Sequence, residues 1–251
     1  MIKNPPTISV IIVTYNAGLV LENTLKAIIN QDYKNFELVI IDGDSQDNTV
    51  DIIKKYHSFV NKWVSEPDDG LYDAMNKGIN LAQGKYVWFI NAGDRPYRNN
   101  TFALIAEYIK DNVDIVYGNT MMIDNEGNEI GLRRLKPGPN LNWKSLKNGL
   151  VVCHQAIIVR KEIVGTYNLK YKIAADYDWI LNALKKSKNT CYTNSVLISF
   201  LDGGLSKRNI RKALKERFEI MVKNFGFIPV LFNHIKIALR IAFFYVKNKR
   251  F

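Results

Sequence analysis

Cysteine is scarce in this 251-residue chain: only Cys153 and Cys191 occur, 38 residues apart and without CxxC spacing. A disulfide framework and a cysteine-built zinc site are therefore unsupported, and two buried thiols are the plain reading. Glycine-rich phosphate cradles are missing as well. No GxGxxG follows the first apolar run, where Gly18 stands alone, and neither GxxxxGK[ST] nor GxSxG occurs anywhere. These absences disfavour dinucleotide binding, P-loop chemistry and the serine-hydrolase elbow. The start, Met1-Ile2-Lys3-Asn4-Pro5-Pro6, is too short and polar to be a secretory core, so the main body is expected in the cytoplasm. There is no internal repeat and no low-complexity tract.

What is present suits a packed protein: 47% apolar, 24% charged and 12% aromatic residues can bury a real core. One domain of about 200 residues plus an appendage is the natural expectation. The net charge of +11 is unevenly placed. Residues 1–201 carry 23 Lys/Arg against 21 Asp/Glu, and residues 202–251 carry 12 against 3. A nucleic-acid binder should carry its excess on the folded face that meets phosphate, so no nucleic-acid partner is expected.

Apolar runs of strand length (Ile8 to Val13, Phe36 to Ile41, Lys62 to Ser65, Tyr86 to Ile90, Asp114 to Tyr117) alternate with helix-period segments through the first 120 residues. That alternation predicts a parallel sheet with crossover helices. Asn48-Thr49 and Asn100-Thr101 are candidate N-caps. Thereafter the pattern predicts a hairpin through Met121 to Leu135, an apolar strand-like run from Val151 to Val159, a helix from Ala175 to Lys186 and a strand from Cys191 to Phe200.

In open parallel sheets, ligands bind beyond the carboxyl ends of the strands. The four exits here read Thr14-Tyr15-Asn16, Asp42-Gly43-Asp44-Ser45, Glu66-Pro67-Asp68-Asp69-Gly70 and Asn91-Ala92-Gly93-Asp94. Each alone is an ordinary turn. Together they form an acidic edge without a glycine cradle, which suits a nucleoside diphosphate bridged by a hard divalent cation, Mg²⁺ or Mn²⁺.

Six segments carry a resemblance: PTISVIIVTYN (6–16), FELVIIDGDSQDNT (36–49), SEPDDGLYDAMNKG (65–78), GKYVWFINAGDRP (84–96), His154-Gln155 and AADYDW (174–179). In order and spacing they resemble a family 2 glycosyltransferase of the GT-A fold, of the type that builds bacterial surface polysaccharides. The likeness spans residues 6 to about 200 and leaves out the basic C-terminal segment. It implies an α/β domain over 1–201, with a nucleotide-sugar-binding half to about 118, an acceptor-binding half to 201 and a mostly parallel sheet with a small antiparallel addition. A flexible junction over 202–206 would serve as a lid, since Gly203-Gly204 lets the chain close over a bound nucleotide.

By the same resemblance, the donor nucleotide is met by Thr14, Tyr15 (stacked on the base), Asn16, Asp42 (base or ribose), Asp44, Asn76, Asn91, Ala92 and Gly93. The family often places a second Asp directly after the one at Asp42, where this chain has Gly43. Asp94 is the expected metal ligand, the one carboxylate left of an Asp-x-Asp-Asp type run. Asp176 is the expected catalytic base of an inverting transfer, with Ala175 where a Glu often stands, and Asp178 is structural. Glu66, Lys77 and His154 are secondary candidates near the diphosphate or acceptor. Alternatives stay open at several of these positions: a capping tyrosine at 15, a turn aspartate at 94, an N-cap at 176 and a satisfied core histidine at 154.

The last segment has its own pattern. Lys207, Arg208, Arg211, Lys212, Lys215 and Arg217 form a basic helix, followed by an apolar stretch from Phe227 to Val246 interrupted by Lys236 and Arg240. Two central charges disfavour a spanning helix, and an amphipathic helix lying on the inner membrane surface fits better. The competing expectation is that helices over 207–251 pack on the catalytic body or on a second subunit of a homo-oligomer. The combined reading is a UDP-sugar-dependent transferase acting on a lipid-linked or oligosaccharide acceptor at the cytoplasmic face of the membrane. Its rivals are a sugar nucleotidyltransferase, which needs a triphosphate loop that Thr14-Tyr15-Asn16-Ala17-Gly18 is not, and a silent scaffold, which the thinned metal motif would suit.

Overall fold

A computed structural model of the chain describes residues 6–110, 112–204 and 209–234. The first half alternates as the apolar pattern predicts: β1 (Ile8–Thr14), α1 (Leu21–Ile29), β2 (Phe36–Asp42), α2 (Thr49–Lys55), β3 (Lys62–Ser65), α3 (Leu71–Leu81) and β4 (Tyr86–Phe89). β1 lies between β2 and β4, β3 pairs with β2, and all three pairings are parallel. Alternate residues of β1 enter two different apolar clusters, Ile8, Val10 and Ile12 on one face and Ile11 and Val13 on the other. Helices thus cover both faces, which is why the strand reads as one unbroken apolar run.

The second half is mixed. It comprises β5 (Arg95–Pro96), α4 (Thr101–Tyr108), β6 (Ile115–Ile123), β7 (Glu129–Leu132), β8 (Ile157–Arg160), α5 (Ala175–Lys186), β9 (Thr190–Leu201) and α6 (Ile210–Phe225). The described strands form one sheet in the order β3-β2-β1-β4-β8-β6-β9-β5, with β7 on β6. β8 runs antiparallel between β4 and β6, whereas β6 and β9 are parallel.

Three local expectations need correction. The Val151–Val159 run is a strand only from Ile157, because a tight turn over His154–Ala156 precedes it, with Ala156 N–H donating to Cys153 C=O at 2.9 Å. Asn48 and Asn100 occupy N-cap positions but make no side-chain cap bond. Asp47 instead accepts from Thr49 N–H at 2.9 Å, and Gln31 Oε1 accepts from Phe102 N–H at 3.0 Å. In both cases a longer-reaching neighbour satisfies the orphan donor.

α6 packs on the body. Ala213, Ile220 and Met221 are buried, and the Phe225 ring stacks on Trp143 with centroids 5.6 Å apart. Its opposite face is open: Ile210 and Leu214 are exposed together with Arg211, Lys212 and Lys215, and Phe227, Ile228 and Phe232 continue the exposed apolar surface. Of the expected features, Lys207, Arg208, the 205–206 end of the junction, and the stretch beyond 234 with Lys236 and Arg240 lie outside the described residues. No helix among the described residues is long and apolar enough to cross a membrane.

Candidate active site

The exits of β1 and β2 are laced together by short polar side chains. Asn16 N–H donates to Ser45 Oγ and Gln46 N–H to Asn16 Oδ1, both at 2.8 Å, while Ala17 N–H reaches Thr49 Oγ1 at 2.8 Å and Gly18 N–H reaches Asp47 Oδ2 at 3.0 Å. Asn16 and Asp44 adopt left-handed backbone, with φ of 48° and 63°, a conformation that Asn and Asp tolerate better than most residues. Asp42 is fully buried. Its Oδ1 accepts from Ser45 Oγ at 2.5 Å, and its Oδ2 accepts from Ser45 N–H at 2.9 Å and Ser65 Oγ at 2.7 Å. The carboxylate expected to meet a base or ribose is thus spent inside the turn, where it fixes the exits of β2 and β3.

Between these loops and the end of β9 opens a groove of about 990 Å³. Among the candidates named from sequence, Thr14, Tyr15, Asp44, Asn91, Ala92 and Asp94 line it. Tyr15 presents its ring outward at 63% exposure. Thr14 Oγ1 and Asn91 Oδ1 are buried in the groove wall without a hydrogen-bond partner, a costly state for polar atoms unless something fills it.

Asn16, Asp42, Gly93, Asn76, Glu66 and Lys77 are not on the groove wall. Asn76 clamps Tyr167 instead, donating to its C=O at 3.1 Å and accepting from its N–H at 2.7 Å. Lys77 pairs with Glu66 at 2.9 Å and also donates to Pro67 C=O at 2.9 Å. The carboxylate that the third exit does offer is Asp68, on the groove wall. A Cβ on Gly43 would stand 2.5 Å from Asp68 Oδ2. The side chain missing at 43 therefore leaves room for a carboxylate delivered from another strand, a substitution invisible to a one-dimensional motif.

Asp94 leaves β4 through a turn in which Gly93 has φ of 98° and a Cβ there would meet Leu201 Cδ2 at 2.7 Å. Asp94 Oδ1 accepts from Leu201 N–H at 2.9 Å, and its C=O accepts from Thr24 Oγ1 at 2.8 Å. Burial raises its carboxyl to about 8 against the lowering effect of the Leu201 N–H. A buried carboxylate on the groove wall, short of positive charge, has the chemistry a hard cation seeks. Among the described residues no three metal-ligating side chains cluster, so an ion at Asp94 would draw its other ligands from phosphate oxygens and water.

A second cavity, of about 260 Å³, adjoins the groove through Leu71, Asn91, Phe200 and Asp202–Gly204. Asp176 and His154 line it, together with Arg133 and Arg217. Asp176 sits in the first turn of α5; its Oδ1 accepts from Tyr177 N–H at 2.8 Å and from the Tyr72 hydroxyl at 3.4 Å. The entry of α5 is fixed from outside the shared segments: Glu216 of α6, itself buried, accepts from Lys172, Ile173 and Ala174 N–H at 3.1, 2.8 and 2.9 Å.

His154 Nε2 lies 2.6 Å from the Tyr167 hydroxyl, and the ring packs against Phe89 and Trp179. Burial lowers its pKa to about 4, opposed by the charge of Asp176, so the imidazole is neutral at pH 7. Burial also lowers Arg133, with the Arg217 charge adding to the effect and Cys153 and Asp176 opposing it. Glu216 and Arg217 are the residues that sequence patterning missed. Arg217 reads there as one member of a basic helix and Glu216 carries no motif, and only the packing of α6 on the body turns them inward.

The architecture is that of the GT-A glycosyltransferases. S. aureus TarS (residues 1–349, in complex with UDP-GlcNAc) matches over 92% of this chain and 73% of its own, with a TM-score of 0.69 at 17% identity. The mannosyltransferase PcManGT from Pyrobaculum calidifontis, in complex with GDP-Man and Mn2+, matches over 92% and 70%, with a TM-score of 0.63 at 18% identity. Within this class the chain belongs to glycosyl transferase family 2, whose model matches residues 9–167. A PGL/p-HBAD biosynthesis glycosyltransferase of Mycobacterium bovis (strain BCG / Pasteur 1173P2) is 33% identical over 231 residues, 87% of this chain and 86% of the relative.

Proposed function

We propose that this glycosyltransferase moves a hexose or N-acetylhexosamine from a UDP-sugar to a lipid-linked or oligosaccharide acceptor, with inversion, in the assembly of a bacterial surface glycan. The observation that carries the reading is the junction of the two cavities. A groove suited to a nucleotide meets, at Asn91 and Phe200, a smaller cavity lined by Asp176. A sugar bridging that junction has its anomeric carbon facing the Asp176 side. The Asp176 carboxylate then takes the proton of the attacking acceptor hydroxyl, the new C–O bond forms, and the bond to the nucleoside diphosphate breaks with its electrons.

Tyr15 stacks on the base, and Thr14 and Asn91 supply hydrogen-bonding atoms that have no protein partner. Mg²⁺ or Mn²⁺, held by Asp94 and the donor's own phosphate oxygens, supplies neutralisation of the diphosphate. UDP as the nucleotide is supported by the TarS complex named above, and the metal by the PcManGT complex. Asp42, Glu66, Lys77 and Asn76 act in this scheme by holding loops. Asp202, Gly203 and Gly204 line both cavities and serve as the described part of a lid.

The outward face of α6 supports peripheral attachment to the cytoplasmic membrane surface, since exposed Ile210, Leu214, Phe227 and Phe232 stand beside Arg211, Lys212 and Lys215. Such a combination favours anionic lipid. The testing experiment is a panel of UDP- and GDP-sugars incubated with the chain on anionic liposomes, with and without Mn²⁺, scored for sugar release. Release from one UDP-sugar, dependent on Mn²⁺, is the expected result. Release from GDP-sugars alone would refute the donor assignment, and recovery of the protein free of liposomes would refute the attachment.

A further inference from the structure

Arg133 and Arg217 enter the smaller cavity from distant parts of the chain, one just after β7 and the other from α6. Neither forms an ion pair among the described residues; Arg133 Nη1 donates to Leu135 C=O at 2.8 Å, and Arg217 Nε is buried with no partner. Asp176, on the same wall, acts on Arg133 through its charge. Both arginines are part-buried and only partly compensated, which carries a desolvation cost, and two planar guanidinium groups match the geometry of an oxyanion. Neither arginine lines the groove, so the charge stands on the Asp176 side of the junction.

We propose that Arg133 and Arg217 form an anion subsite for the acceptor, binding a phosphate or carboxylate that the acceptor carries close to the attacking hydroxyl. The assignment to the acceptor rests on the transferase reading above; the anion site itself does not. It selects acceptors that are anionic near the point of glycosylation and makes α6 part of the substrate site rather than an appendage.

Inorganic phosphate is the probe, titrated calorimetrically into the full chain with and without saturating UDP and Mn²⁺. Phosphate is expected to bind in both conditions, and R133Q and R217Q each to weaken it by about tenfold or more, while R217K retains part of the affinity and UDP binding changes by less than about twofold. In phosphate-free buffer R217Q should unfold at the same or higher urea than the native chain, because it removes a part-buried charge that has no ion pair among the described residues. Phosphate displaced by UDP, or UDP binding weakened in R217Q, would assign the pair to the donor's diphosphate and overturn the proposal. So would no phosphate binding at all, or R217Q destabilised with its phosphate affinity unchanged. Phosphate binding that follows the two arginines in a chain that ignores UDP would uphold the subsite and sink the transferase reading.

Discussion

The groove and the cavity beside it adjoin at Asn91 and Phe200 but are built from opposite materials. The groove is acidic and loop-lined: Asp44, Asp68 and Asp94 follow β2, β3 and β4 and Asp202 follows β9, with Lys172 the one Lys or Arg on its wall among the described residues. The cavity sets Arg133 and Arg217 against Asp176 and Asp202 beside aromatic side chains, and draws on residues 72, 133, 154, 176 and 217, which no local pattern connects. A strand-end site inherits its geometry from the sheet, whose register fixes where each loop begins. A site between packed helices depends on tertiary contacts such as the three hydrogen bonds from Glu216 to the start of α5. The two sites should therefore fail in different ways when altered.

The largest effect should come from Asp176→Asn. Loss of a positioned general base removes about 10²- to 10⁴-fold in rate, while UDP affinity, which belongs to the groove, stays unchanged in calorimetry. Near-normal turnover would remove Asp176 from the mechanism and leave it the role of a helix-start carboxylate.

Glu216→Ala tests whether the cavity depends on α6. Two buried N–H groups, of Ile173 and Ala174, and the part-buried one of Lys172 lose their acceptor, the buried ones at about 1 kcal/mol or more each, so the urea midpoint should fall and kcat with it, again without a change in UDP binding. A stable variant with normal kcat would return α6 to the status of an appendage.

These two residues also mark the limit of what the sequence discloses. The βαβ alternation, the polar exits and the helix start that carries Asp176 were legible, because strand period and helix-start position are local properties. Asp42 shows what spacing leaves out: it fits a ligand-facing turn, and the structure adds that Ser45 and Ser65 close on its carboxylate from two directions. Asp68 in place of a carboxylate at 43 was hidden because two strands share one corner of space. Glu216 and Arg217 were hidden because a helix dense in charge reads as solvated until a partner helix is laid against it. The His154 turn broke an apolar run that looked like uninterrupted strand.

The cavity adds its own component to the pH dependence of stability, opposite in sign to that of Asp94 on the groove wall. His154 protonates near 6.5 in the unfolded chain and at about 4 in its buried place beside Tyr167. Between those values the unfolded state binds more protons, so acidification through that window favours unfolding, by up to about 1.4 kcal/mol per pH unit. Urea midpoints at pH 7, 6, 5 and 4 should fall more steeply for the native chain than for His154→Gln. Parallel slopes would show that the ring is not held neutral by burial.

The smallest effect belongs to Tyr15, and its smallness distinguishes the two sites most directly. The ring is 63% exposed, so Tyr15→Ala removes little packing and the urea midpoint should barely move. If the ring stacks on a base, calorimetry should show UDP binding weakened by about 1–3 kcal/mol with phosphate binding at the arginines unaffected. The buried aromatics packed behind His154 predict the reverse: Tyr167, stacked on Trp179 with centroids 5.2 Å apart, should cost stability when truncated, before any binding is measured. A Tyr15→Ala chain that binds UDP normally but unfolds early would invert the comparison. The acidic groove would then owe its shape to packing, and the base would have to be held by the loop backbone around Gly43 and Asp44 instead.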